Sequence, residues 1–297
     1  MSHEVLISPT VLVTGAAGRL GPPLVRALVA RGYGVRVLIR KRLAEGVLPP
    51  GVDVFYANVD QPQTVAPALV GCNWLFHLAA LWAPAIPDAP TRQRLWRTNV
   101  DAVAALVQMA QQQGVGRLVY CSTTQVYGHG DGQTPASEET PLRPLTTFAQ
   151  TKWAGEQIVL EAQTPVQTHL AVVLRLAPLC NSVEAPMGER RRIGRKEPVS
   201  YLCVVDAVQA ALLAAASPLA GGQIYNISSG CVEYAAWPSA GSAVPSNIDS
   251  GGGAGRLRCW LGWATGTSGA TRSGATDGTV CTAKAQRELG FRPGCRA

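Results

Sequence analysis

The stretch Thr10-Val-Leu-Val-Thr-Gly-Ala-Ala-Gly-Arg-Leu-Gly21 decides the fold of this 297-residue chain. Its first five residues, Thr10 to Thr14, are apolar or β-branched and predict a buried strand. Glycines follow at positions 15, 18 and 21, and apolar residues at positions 24, 25, 28 and 29 then recur at helical spacing. The order of strand, glycine turn and helix predicts the first unit of a parallel α/β sheet.

The glycine turn has the properties of a phosphate-binding loop. Glycines let the backbone approach a pyrophosphate closely, and the free N–H groups at a helix start favour an anion. A glycine triplet also arises for backbone reasons alone, but its position between a strand and a helix favours the binding interpretation. The turn therefore predicts a dinucleotide site that includes Gly15, Gly18, Arg19, Leu20 and Gly21.

The end of the second predicted strand, Val35 to Ile39, indicates which dinucleotide is bound. An acidic residue there would bind the ribose hydroxyl of NAD, whereas this chain has Arg40, Lys41 and Arg42. Guanidinium groups suit a 2′-phosphate. We therefore expect NADP, with NAD as the alternative, and Arg19 is a second candidate for the phosphate contact.

Composition and charge narrow the class of protein. An apolar fraction of 47% and a charged fraction of 15% are ordinary for a globular protein. The eight cysteines show no C-x-x-C pair and no zinc-like grouping with the four histidines, so we expect a reduced, cytoplasmic protein without a metal. No apolar run is long enough to span a bilayer. Much of the net charge of +7 lies at 40–42 and 190–196, which fits a phosphorylated small molecule; we expect neither a nucleic acid nor a membrane partner.

Further motifs occur in a fixed order along the chain. They are Asn58-Val59, His77-Leu-Ala-Ala80, Thr98-Asn99-Val100, Val119-Tyr-Cys-Ser-Thr-Thr-Gln-Val-Tyr-Gly128, Glu138-Glu-Thr-Pro-Leu-Arg-Pro144 and Tyr225-Asn226-Ile227. With the glycine turn, this set resembles the extended short-chain dehydrogenase/reductase superfamily, in particular its NAD(P)-dependent sugar-nucleotide epimerase and dehydratase branch, from about residue 11 to 230. The resemblance implies an α/β fold: a Rossmann doubly wound parallel sheet with a smaller, partly irregular C-terminal substrate-binding lobe.

The resemblance also implies cofactor contacts outside the glycine turn. Asn58 and Val59 stand where the family has an acidic and an aliphatic residue beside the adenine. The other implied cofactor residues follow the fourth strand, lie on a helix or end a later strand: Ala79, Ala80, Asn99, Lys152 and Leu176.

The family's active site combines a serine or threonine with a tyrosine and a lysine that lie four residues apart on one helix face. The hydroxyl carries over to Thr123 and the lysine to Lys152, but the tyrosine position is Phe148. Phenylalanine keeps the ring and loses the proton. Because a general acid or base contributes about a hundred- to ten-thousand-fold, family-type hydride chemistry should be slowed by that much or lost.

Several explanations of Phe148 remain open. The protein is a binding module derived from an enzyme, it recruits another acid, or the position was altered to trap a ligand. Tyr127 and Glu138 are nearby candidates for a replacement acid, although packing explains Tyr127 better. His77 and Cys121 are more simply explained as a packed histidine and a buried small hydrophobe.

The C-terminal part is predicted less well. We expect residues 1–180 to form the NAD(P)-binding Rossmann domain, with 201–230 returning to it, and 181–297 to form the substrate lobe. The basic run 189–196 would face the diphosphate of a sugar nucleotide or form a surface loop. Residues 231–281 are aperiodic and rich in small residues, which predicts irregular or disordered chain; two compensating reading-frame shifts would produce such a segment.

Two functions follow as hypotheses. The first is an NADP(H)-using oxidoreductase, epimerase or dehydratase that acts on a sugar nucleotide or a similar hydroxyl or ketone substrate. The second is a catalytically inactive NADP-binding sensor or scaffold. By analogy with the family, the long helices could pair two copies into a homodimer.

Overall fold

A parallel β-sheet forms the centre of the computed structural model, which describes residues 9–83, 86–128, 134–162, 171–180, 198–233 and 278–294. In this part of the chain seven strands pair in the order β3-β2-β1-β4-β5-β6-β9, and every neighbouring pair is parallel. Their bounds are β1 Thr10–Thr14, β2 Gly34–Ile39, β3 Asp53–Tyr56, β4 Trp74–His77, β5 Arg117–Thr123, β6 Ala171–Leu176 and β9 Ile224–Ile227. The predicted Rossmann fold class is confirmed.

Helices cover both faces of this sheet. They are α1 Gly21–Val29, α2 Pro62–Leu69, α3 Ala89–Trp96, α4 Ala102–Gln112, α5 Thr147–Glu161, α6 Val204–Ala216 and α7 Ala283–Leu289, with a π-helical turn at Arg97–Asp101 between α3 and α4. Apolar residues of α1, α6 and α7 share one buried cluster, and those of α2, α4 and α5 share another. The sheet is therefore buried on both faces, which explains the continuous apolar runs of its strands.

Local sequence fixes where the two functionally important helices begin. Pro22 and Pro23 occupy the first positions of α1, where the missing N–H groups are unpaired in any helix. Thr146 caps α5: its hydroxyl accepts a hydrogen bond from the N–H of Ala149 at 3.1 Å. α1 begins directly after the glycine turn that follows β1.

A small second sheet stands apart from the central one. It pairs β10 Gly230–Glu233 antiparallel to β8 Pro198–Cys203, and β8 parallel to β7 Leu179–Cys180. Farther on, Val280 forms a parallel bridge with Ala136. The basic run 189–196 and most of the aperiodic segment 231–281 lie outside the described residues.

The last described segment returns to the central sheet. Ala285 and Leu289 of α7 and the following Phe291 are buried in the cluster that also contains residues of β1 and α6. Tyr225 of β9 donates to the Glu288 carboxylate at 3.1 Å. This segment of the 181–297 range thus packs with the Rossmann core, while the predicted division into domains as a whole stays a prediction. Within the described residues no helix has the length and apolarity needed to cross a membrane.

Candidate cofactor and active site

The glycine turn lies at the point where the strand order reverses. β1 and β4 are neighbours, and their connections leave in opposite directions, which creates the crevice where open α/β sheets bind ligands. Gly15 has φ 70°, and a Cβ there would lie 2.6 Å from the backbone nitrogen of Ala79. A Cβ on Gly21 would overlap the backbone of Ala16. Both glycines are thus required by close approach of the protein's own backbone, as in the tight phosphate-binding turns that precede a helix.

Arg19 reaches away from the glycine turn. Its Nη1 donates to the carbonyl of Leu179 at 2.7 Å, so it joins the turn to β7 of the second sheet. Arg40 is exposed at the end of β2. The 2′-phosphate contact predicted for these two arginines stays a prediction, and Arg19 would need to leave the Leu179 carbonyl or use its remaining N–H groups.

The predicted adenine end lies after β3. Asn58 is partly buried, and its Oδ1 accepts from the N–H of Asp60 at 3.3 Å; Val59 is buried. Asp60 in turn accepts from the Thr98 hydroxyl at 3.1 Å and lies 3.6 Å from Nε of Arg97. These bonds connect the loop after β3 to the π-helical turn, a connection that the sequence did not indicate.

Asn99 joins two parts of the site. Its Oδ1 accepts from the N–H of Leu81 at 2.7 Å, and its Nδ2 donates to the Leu81 carbonyl at 2.9 Å and to the Thr151 hydroxyl at 3.0 Å. Both amide hydrogens are therefore used inside the protein. Asn99 holds the loop after β4, which contains Ala79 and Ala80, against α5.

The predicted catalytic residues lie on β5 and α5. Thr123 ends β5 and is partly buried; its register partner is Leu176 of β6. Phe148 and Lys152 lie one turn apart on α5, with Phe148 partly buried and Lys152 buried. Burial lowers the pKa of Lys152 to about 8, although the negative charge of Glu156 opposes the shift. The side chains of Leu20 and Leu176 belong to the buried core.

Tyr127 and Glu138 have structural partners. Tyr127 is buried, donates to Oδ1 of Asn226 at 2.8 Å and accepts from Nη1 of Arg175 at 2.8 Å. Burial raises the pKa of its phenol. Oε1 of Glu138 accepts from the N–H of Asn226 at 2.7 Å. Because both groups are bonded into one network with the buried Glu156–Arg175 ion pair, the geometry favours the packing interpretation of Tyr127 over the replacement acid.

His77 and Cys121 are also packed residues. His77 is buried, and its Nδ1 lies 2.8 Å from the Thr14 hydroxyl. Burial lowers the pKa of His77 to about 3, and the charge of Lys152 adds to the shift, so its ring is neutral at ordinary pH. Burial raises the pKa of the Cys121 thiol to about 12, which leaves it an inert thiol.

The sequence missed one neighbour of the lysine. Tyr120 lies beside Lys152, with the ring centroid 4.0 Å from Nζ. Within the described residues, the buried hydroxyls of Ser122 and Thr124 have no hydrogen-bond partner. The sequence indicated these three residues, Tyr120, Ser122 and Thr124, only by their membership of the motif 119–128, which also contains Thr123.

A tight glycine turn at the switch point of a Rossmann sheet, with a threonine ending β5 and a buried lysine on α5, defines a protein of the extended short-chain dehydrogenase/reductase class. Residues 11–193 match the NAD dependent epimerase/dehydratase family. The chain belongs to this family of enzymes. In the described residues, no group of three or more His, Cys, Asp or Glu side chains could hold a metal ion.

Curated relatives include reductases and dehydrogenases. The chain is 31% identical over 229 residues, 73% of its length, to the 4-hydroxy-2-methyl-3-oxo-4-farnesyl-3,4-dihydroquinoline-1-oxide ketoreductase of Stigmatella aurantiaca, of which the match covers 67%. It is 29% identical over 55% of its length to the human decarboxylating sterol-4-alpha-carboxylate 3-dehydrogenase, of which the match covers 42%. The chain thus spans less than half of that dehydrogenase.

Solved structures share the fold. The UDP-glucose 4-epimerase of Thermotoga maritima, solved with UDP-glucose, superimposes with a TM-score of 0.74 at 20% identity, covering 96% of this chain and 94% of that one. MoeE5, solved with UDP-glucose and NAD, superimposes with a TM-score of 0.63 at 28% identity, covering 75% and 78% of the two chains.

Proposed function

We propose that this protein is an NADP(H)-dependent oxidoreductase that acts at a hydroxyl or ketone carbon of a small molecule and is slowed by Phe148. The observation that carries the proposal is the glycine turn at the switch point together with Thr123 and Lys152 in their family positions. When bound, the nicotinamide supplies or accepts the hydride. Thr123 polarises the substrate oxygen, and Lys152 binds the nicotinamide ribose.

Two observations support NADP and a slow reaction. Arg40 is an exposed cation directly after β2, and residues 40–42 include no acidic side chain that would bind the ribose hydroxyls of NAD. Phe148 offers no proton, and Tyr127 donates its own to Asn226. A reaction without a positioned general acid is about a hundred- to ten-thousand-fold slower than one with it.

We propose two alternative substrate classes, a sugar nucleotide and a hydroxyl or ketone on an apolar ring system. MoeE5 and the Thermotoga epimerase were solved with UDP-glucose, which supports a sugar nucleotide. The names of the ketoreductase and the sterol dehydrogenase support a hydroxyl or ketone on an apolar ring system. The apolar Phe148 at the tyrosine position favours testing the second class alongside the first.

The test restores the phenol. Phe148→Tyr is compared with wild type for NADPH oxidation with UDP-sugars and with ring ketones, and NADPH and NADH are titrated by nucleotide fluorescence in both proteins. A gain of about a hundredfold or more with one substrate class supports the oxidoreductase and names the class. Phe148→Leu is the matched control, since it changes the ring without adding a proton donor.

The second candidate, an inactive NADP-binding sensor or scaffold, is favoured by Phe148 itself. Tight NADPH binding with no gain from Phe148→Tyr on either substrate class supports it. Absence of binding to either nucleotide contradicts both candidates. We also propose a homodimer; sedimentation at micromolar concentration tests it, and a monomer contradicts it.

A further inference from the structure

Lys152 is buried without an ion-pair partner among the described residues. Lys152 is 2% exposed, and its Nζ lies 4.0 Å from the centroid of the neutral Tyr120 ring. A buried ammonium is costly unless something stabilises its charge. An aromatic face at this distance does so through the ring quadrupole.

The ring of Tyr120 is itself fixed from several sides. Tyr120 is fully buried on β5, and its hydroxyl donates to the backbone carbonyl of Lys152 at 3.3 Å. A Cβ on Gly155 would collide with this hydroxyl, so glycine lets the phenol pass beside α5. His77 of β4 stacks on the ring, with centroids 5.8 Å apart and planes at 14°. The ring therefore has little freedom to turn away from Lys152.

The titratable groups that face Lys152 do not replace the ring. Cys121 of β5 keeps its proton because burial raises its pKa to about 12, and His77 of β4 stays neutral because burial lowers its pKa to about 3. Glu156, one turn along α5, is bonded to Nε and Nη2 of Arg175 at 2.7–3.2 Å. The face of the Tyr120 ring thus favours the cation from within contact distance, while the Glu156 carboxylate is already bonded to Arg175.

We propose that Tyr120 is the positioning residue for Lys152: the face of its ring seats the ammonium group and keeps it charged for contact with the cofactor ribose. The contact of Lys152 with the cofactor rests on the proposed function, whereas the contact of the Tyr120 ring with the ammonium group does not. Tyr120 acts through Lys152 and exchanges no proton itself, since burial holds the pKa of its phenol well above the usual range.

The test weakens the ring quadrupole without changing its shape. Tyr120 is replaced by phenylalanine and then by phenylalanines with increasing fluorine content, in protein labelled with ¹³C-lysine. The chain has four lysines, so the Cε signal of each is followed against pH in the cofactor-free protein, with Lys152→Met for assignment. Tyr120→Phe should keep the pKa of Lys152 near that of wild type, and full fluorination should lower it by about 1 unit.

A matched control lies on α7, where a lysine lies beside an aromatic ring of β9. Lys284 has its Nζ 5.1 Å from the ring centroid of Tyr225, and its pKa should not respond to fluorination at Tyr120. A pKa of Lys152 that is constant across the series overturns the proposal. Because the series preserves ring size, unfolding does not obscure the result; Tyr120→Leu, if folded, should lower the pKa at least as far.

A second measurement separates the seat from the cofactor contact. The dissociation constant of NADPH is measured from pH 6 to 10 for each protein. The dissociation constant should increase when the pH exceeds the pKa of Lys152. With increasing fluorination, this increase should begin at lower pH. A dissociation constant that does not increase with pH contradicts the contact between Lys152 and the cofactor, and with it the role of Lys152 in the proposed function. The contact between the Tyr120 ring and the ammonium group is tested separately, by the NMR titration.

Discussion

Glu156→Gln tests the buried ion pair that connects the helix of Lys152 to β6. Arg175 and Glu156 are 2% and 0% exposed, and Nε and Nη2 of Arg175 donate to the carboxylate at distances of 2.7–3.2 Å. The substitution keeps the shape of the side chain and removes its charge. The guanidinium then remains buried with only neutral partners, among them the Tyr127 hydroxyl at 2.8 Å.

Removing one partner of a buried pair costs about 3–5 kcal/mol, and the hydrogen bond from Arg175 to Tyr127 places the expected loss near 3 kcal/mol. Urea unfolding followed by circular dichroism measures it, with the slope checked for two-state behaviour. Glu161→Gln, at an exposed position on the same helix, should change stability by less than about 0.5 kcal/mol. A loss below about 1 kcal/mol for Glu156→Gln would refute the reasoning, because Arg175 would then not depend on this carboxylate.

Other predictions concern the glycine turn, the cofactor and pH. Gly15→Ala should lower stability by about 2 kcal/mol or more, because φ is 70° and the new Cβ meets the backbone of Ala79. Gly32→Ala is the control for the cost of a positive φ alone, since Gly32 has φ 80° and open space around its Cβ position. Equal losses for the two variants would disprove the clash at Gly15. Arg40→Ala should weaken NADPH binding about tenfold and leave NADH unchanged; equal effects on both contradict a 2′-phosphate contact. His77 has a pKa of about 3 in the folded protein, whereas a histidine in the unfolded chain has its ordinary pKa of about 6.5. Between pH 7 and pH 5 only the unfolded chain therefore binds a proton at this histidine, and the free energy of unfolding should fall by about 2 kcal/mol. His77→Gln should flatten this fall, and an unchanged slope would show that other groups cause it.

The sequence predicted those features that depend on neighbours along the chain. The strand, turn and helix from Thr10 to Val29 require one another locally, because the glycines serve both the turn and the packing of α1. The predicted second strand, Val35 to Ile39, differs from β2 by one residue. Periodicity and turn chemistry act over a few residues, so such elements can be predicted from a single sequence.

Side-chain partners across the fold could not be predicted in this way. The bond from Arg19 to Leu179 joins residues 160 positions apart, and that from Asn99 to Thr151 joins residues 52 apart. The motifs around Arg19 and Asn99 suggested cofactor contacts, but both side chains form hydrogen bonds within the protein. A motif identifies the position of a residue and not the direction of its side chain. Only the packing of β7 and α5 against the site decides which donors are already used.

Retention of Lys152 beside Phe148 constrains the choice between an enzyme and a binding protein. In the family's active site the lysine accompanies a tyrosine, and this chain has Phe148 at the tyrosine position. A buried lysine without a task would be costly, and its replacement by an apolar residue would stabilise the fold. Here the Tyr120 ring lies against the ammonium group, and Gly155 and His77 contact Tyr120. This arrangement is consistent with a second task for Lys152, the binding of the nicotinamide ribose, which both candidate functions require and which does not depend on Phe148.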